Sequence, residues 1–98
     1  MLDFSFDDDA ISEAEAATAR YRVEASERVA VTFSLEIARA VKLLQQFADM
    51  GTPGRRNSRR LLLAEFPFAV IYRVQAGQLR VVSIAHQRRR PGYWRRRT

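Results

Sequence analysis

The side chains able to do chemistry are concentrated in the second half of this 98-residue chain. Twelve cations lie there, all arginine: Arg55, Arg56, Arg59, Arg60, Arg73, Arg80, Arg88, Arg89, Arg90, Arg95, Arg96 and Arg97. Residues 50–98 set one acid, Glu65, against them, whereas residues 1–49 set ten acids against five cations. An acidic half joined to a strongly basic half points to a polyanionic partner, a membrane surface or an acidic protein. Arginine suits bidentate contact with phosphate or carboxylate and stacking on bases. The sixteen arginines against one lysine also fit a GC-rich genome, as do the fourteen alanines, but that leaves the placement of the charges unexplained. His86, the single histidine, is a candidate general acid or base; the alternative is a strand-end residue bonded to backbone. Tyr93 and Trp94, set among arginines, can stack on bases or pin the tail against a sheet.

Other chemistries lack their residues. Without cysteine there is no disulfide framework, thiolate zinc site or cysteine nucleophile. One histidine does not make a metal cluster, and Glu65 has no carboxylate partner within the basic half. Ser83 has no base on its own strand face, and Gly51-Thr52-Pro53-Gly54 does not fit a phosphate-binding loop. The expectation is therefore no metal and no cofactor. No apolar run approaches the ~18 residues of a membrane span, and the N-terminus lacks the basic and apolar regions of a signal peptide. A cytoplasmic protein without membrane contact is expected.

These side chains must be carried by one domain, residues 1–98, since ~100–200 residues share a single core. Leu2 to Phe6 alternates apolar and polar and predicts a short strand. Asp7-Asp8-Asp9 supplies an N-cap and negative charge for a helix start. Ile11, Ala14, Thr18, Tyr21 and Ala25 then recur as one helical stripe. Ser26 caps a second helix, whose stripe is Val29, Phe33, Ile37, Ala40, Val41, Leu44 and Phe47, ended by Gly51 and Pro53. The two helices read as a hairpin. Residues 51–58 read as a loop, after which the period becomes two. Strands are expected over residues 59–65, 68–74 and 79–86, with Pro67 and Gly77 in the turns. Val70, Tyr72 and Val74 should share one face, opposite Ala69, Ile71 and Arg73; Val81, Ser83 and Ala85 should oppose Arg80, Val82, Ile84 and His86. Arg73 and Arg80 flank the hairpin symmetrically as cross-strand neighbours, which like charges disfavour unless an anion bridges them. The fold class is α+β: a short N-terminal strand and an αα-hairpin packed on a three- to four-stranded antiparallel sheet.

The segment from Phe66 through Val74, the hairpin, and Val82-Ser83-Ile84-Ala85-His86-Gln87-Arg88-Arg89-Arg90-Pro91-Gly92-Tyr93-Trp94 resemble the RelE/ParE toxin superfamily. The likeness is stronger to the ParE-like, or plasmid-stabilisation, branch, whose chains end in an A-H-x-R-R-x-P-x-Y-W pattern. Glu13-Ala14-Glu15 with Tyr21, the Ser26 helix start and Arg59-Arg60-Leu61 fit as well. The resemblance implies the toxin of a type II toxin–antitoxin module, causing bacterial growth arrest and held in a hetero-oligomer by a cognate antitoxin. ParE-like members act on DNA gyrase; RelE-like members cut mRNA on the ribosome without a metal.

The RelE catalytic set transfers poorly. Its arginine on the second strand of the meander falls at Ala69, and its two lysines fall near Arg60 and at Leu62. Its arginine after the last strand falls near Pro91, beside Arg88, Arg89 and Arg90, and its C-terminal tyrosine is out of register with Tyr93. Losing a preorganised cation at developing phosphate charge costs ~10²–10³ in rate. The expectation is a gyrase inhibitor acting by protein contact, with Arg55, Arg56, Arg59, Arg60, Arg88, Arg89, Arg90, Tyr93 and Trp94 binding the target. The alternative is a metal-independent mRNA endonuclease using Arg60, Arg73, His86, Arg88 and Tyr93.

Overall fold

The computed structural model describes residues 1–87. The acidic half forms β1 (Asp3–Phe6), α1 (Asp8–Glu24) and α2 (Glu27–Gln46). Ser26 caps α2 as expected, its Oγ accepting from the Val29 N–H at 3.1 Å. Asp7 occupies the N-cap position of α1 but makes no capping bond with its side chain. Asp8 and Asp9 supply the negative charge in the first turn instead.

The basic half forms β2 (Thr52–Pro53), β3 (Arg59–Leu62), β4 (Phe68–Gln75) and β5 (Gln78–His86). With β1 they make one five-stranded sheet in the order β1-β5-β4-β3-β2. Three or four antiparallel strands were the expectation, and two pairings extend it. β1 lies parallel to β5, with Phe4 opposite Leu79, because the chain crosses the sheet through both helices before returning. Thr52 and Pro53, within the expected loop, pair with Arg60 and Arg59 and make a two-residue edge. The predicted strand over residues 59–65 stops at Leu62. There Glu65 takes a left-handed φ of 67°, and Leu63 N–H bonds the Phe68 carbonyl at 2.9 Å.

The core lies between the helices and one sheet face. Phe33, Ile37, Val41 and Leu44 of α2 pack on Val70, Tyr72, Leu79, Val81 and Ile84. Each such side chain, removed fully from water, contributes ~1.5–3 kcal/mol. Tyr21, Phe33, Phe66 and Phe68 form an aromatic cluster with centroid separations of 5.1–6.3 Å. The α1 stripe holds at Ala14 and Tyr21, which pack on the core, but Ala10 and Ala17 are its buried members, while Ile11 is 43% exposed. Ala30 joins the buried stripe of α2, and Phe47, just past the end of the helix, stays exposed.

A β-bulge corrects the expected faces of β5. Ile71 pairs with Ser83 and Tyr72 with Val81, which leaves Val82 as an extra residue. Beyond it the alternation inverts. Leu79, Val81 and Ile84 reach the helices, whereas Val82 and Ala85 join Ala69 and Ile71 in a second buried cluster on the opposite face. Beyond Phe6, where β1 ends, Glu13 of α1 serves the edge of β5, accepting from Ser83 Oγ at 2.9 Å and Ile84 N–H at 3.2 Å.

Candidate functional site

Cross-strand partners share a face, so the register decides which arginines can act together. Arg60 pairs with Ile71 and Arg73 with Arg80, which puts all three cations on the face away from the helices. Arg59 pairs with Tyr72 and belongs to the helix side. Consecutive strand residues point to opposite faces, so Arg59 and Arg60 cannot form one patch.

Each of these cations has a distinct environment. Arg59 NH1 donates to the carbonyls of Gly51 at 2.8 Å and Asp49 at 3.1 Å, and NH2 lies 3.9 Å from the Asp49 carboxylate. That side chain fixes the turn Ala48–Met50 that follows α2. Tyr72 holds the same turn from beneath: its buried hydroxyl donates to Ala48 O at 2.6 Å and accepts from Gly51 N–H at 3.0 Å. Burial chiefly raises the Tyr72 pKa above its ordinary value, keeping the phenol protonated. Arg73 is buried and donates from Nε to the Arg56 carbonyl at 3.0 Å.

The expected Arg73–Arg80 juxtaposition exists, and an internal anion resolves it. Asp7 accepts from Arg80 Nε at 2.7 Å and NH2 at 2.9 Å, a bidentate pair. The hydrogen bond to Asp7 raises the Arg80 pKa above its already high ordinary value. The N-terminal acidic run thus engages the basic half within the same chain, which its role as a helix start did not indicate.

Arg55 and Arg56 are exposed in the turn Arg55–Asn57, and Arg60 is exposed on β3. Beside them is a cleft of about 300 Å³, lined by Asp49, Pro53, Asn57, Arg59, Tyr72 and Arg73 among others. Among the described residues, then, Arg55, Arg56 and Arg60 present cations outward, while Arg59 and Arg73 line the cleft and hold backbone carbonyls. Arg88, Arg89, Arg90, Tyr93 and Trp94 lie outside the described residues.

The proposed nuclease set does not converge where it is described. Arg60 and Arg73 occupy one face, but His86 pairs with Phe68 and packs edge-on against its ring, centroids 4.9 Å apart, on the helix side. Where a RelE-like arginine would stand, Ala69 is 2% exposed, flanked across the strands by Leu62 and Ala85. That row offers no donor to a phosphate. No cluster of three or more metal-ligating side chains occurs among the described residues, and no helix there is long and apolar enough to cross a membrane.

Comparison with known proteins agrees with this architecture. Residues 4–91 match the family model described as the ParE toxin of the type II toxin–antitoxin system parDE. The solved structure titled "Chromosomal ParDE TA system from P. aeruginosa" is similar to this chain, with TM-score 0.77 and 25% identity. The alignment covers 88% of this chain and 96% of that one. No curated protein sequence matches. With the family match extending over most of its length and the same helical hairpin on a mixed sheet, the chain belongs to the ParE toxin family of type II toxin–antitoxin systems.

Proposed function

We propose that this toxin inhibits DNA gyrase by protein–protein contact, acting in the cytoplasm as one domain over residues 1–98, and is neutralised by its cognate antitoxin. The observation that carries the reading is the row Leu62–Ala69–Ala85. The likeness to RelE would put a lysine at Leu62 and an arginine at Ala69, and these apolar side chains support a reading without RNA cleavage. Contact with a protein target requires no reacting group, only an exposed surface of fitting charge and shape, and Arg55, Arg56 and Arg60 contribute to one.

The test is a supercoiling assay with purified toxin and gyrase, run beside a ribosome-bound mRNA cleavage assay. Loss of supercoiling at stoichiometric toxin, reversed by the antitoxin, with intact mRNA, is the expected result. Unchanged supercoiling at a large excess of toxin, or cut mRNA, refutes the reading.

A further inference from the structure

We propose that the turn Arg55–Asn57 is a rigid cationic finger that docks Arg55 and Arg56 onto a carboxylate-bearing surface of the protein target, with the adjoining cleft receiving part of that surface. The inference rests on the gyrase reading and specifies its contact.

Three observations support it. First, the finger is held in an unusual shape. Arg56 and Asn57 have left-handed φ values of 56° and 58°; asparagine adopts this region readily, but arginine seldom does, and there it persists only where surroundings impose it. The surroundings are evident. Gly54 N–H donates to Ser58 O at 2.8 Å, and Ser58 N–H and Oγ donate to Arg55 O at 3.0 and 2.6 Å. Buried Arg73 grips Arg56 O from below. A loop already fixed before binding loses little further freedom on docking, which favours affinity.

Second, the finger's charges are uncommitted. Arg20, Arg22, Arg39, Arg59 and Arg80 each have a carboxylate within ion-pair distance. Arg55 and Arg56 have none among the described residues, nor does Arg60 beside them.

Third, the rim suits protein more than nucleic acid. Met50 and Val74 are 48% and 45% exposed, and Val74 lines the cleft together with Pro53. Arginine and methionine around an apolar patch are enriched in protein interfaces.

The experiment uses purified full-length toxin, gyrase and antitoxin. It compares R55E/R56E with R28E/K42E, which makes the same change in net charge at exposed positions of α2. Gyrase affinity and inhibition of supercoiling are measured at low and moderate salt, with thermal melts confirming that both variants fold. The expected result is a loss of about 30-fold or more for R55E/R56E, against less than about threefold for R28E/K42E. Equal losses in both variants show bulk electrostatics and overturn the finger. Wild-type inhibition retained in R55E/R56E also overturns it while leaving the gyrase reading intact. A wild-type toxin that neither binds nor inhibits gyrase removes both. Preferential loss of duplex DNA affinity, with gyrase affinity unchanged, would assign the finger to nucleic acid and refute the inference.

Discussion

Replacing Gly51 by alanine tests how the turn after α2 is built. Gly51 has φ −72° and ψ 153°, an extended backbone that alanine adopts freely, so any cost arises from contact alone. A Cβ there would stand 2.4 Å from the Tyr72 hydroxyl oxygen, 2.8 Å from Cε1 and 3.0 Å from Cζ. Tyr72 is fully buried, and both hydrogen bonds of its hydroxyl go to this turn. The ring must move, and both bonds are strained or lost together, at ~1 kcal/mol each. Overpacking of the surrounding core adds ~1–3 kcal/mol. The total, ~3–5 kcal/mol, lowers the melting temperature of a domain this size by about 15–25 °C. Urea denaturation of G51A, Y72F and the double variant measures it. Because Y72F removes the nearest atom but leaves Cε1, the Gly51 substitution should cost ~1–2 kcal/mol less in that background. A G51A cost below ~0.5 kcal/mol, or one unchanged in Y72F, would refute a steric lock between Gly51 and the hydroxyl.

Two further outcomes follow from the turns. The hairpin between β4 and β5 is a two-residue turn with φ 51° at Ala76 and 75° at Gly77, the type I′ geometry that favours asparagine at the first position. A76N should therefore stabilise by ~0.5–1 kcal/mol, read as a higher melting temperature; a lower one would show that the turn is not of this type. Glu36 of α2 ties down the turn after β3, accepting from Ala64 N–H at 3.0 Å and from Arg39 at 2.6 and 2.9 Å. The Arg39 hydrogen bond, partly opposed by burial, holds the Glu36 pKa below its ordinary value. Its stabilisation is thus complete above the unfolded-state value of ~4.3 and is lost as pH falls through the lower folded one. E36Q should cost ~0.5–1 kcal/mol at pH 7 and flatten the acid limb of a stability–pH curve, and an unchanged limb would contradict this assignment.

Element by element, legibility in the sequence followed the range of the signal. The Ser26 cap, the α2 periodicity and the Gly77 hairpin are written within a few residues, and each appears where expected. The α1 stripe is legible in part: Ala14 and Tyr21 pack on the core as expected, but in this alanine-rich helix Ala10 and Ala17 fill the tight contact and the bulkier Ile11 lies at its margin. At the candidate site, outward arginines at 55, 56 and 60 were legible from charge and loop composition. That Arg59 and Arg73 are structural was not, because their partners are backbone carbonyls of Gly51 and Arg56, which carry no side-chain signature.

The sequence by itself determined the charge division, the helical hairpin, the β-meander and the family resemblance, since local patterning and composition specify these. Only the tertiary structure decided that β1 runs parallel beside β5, that Val82 bulges, and that His86 consequently faces away from Arg60 and Arg73. It also decided that Asp7 answers Arg80 across 73 positions of chain. The physical reason is the same in each case. Register is set by how distant side chains pack against one another, and in a period-two strand a shift of one residue exchanges the faces.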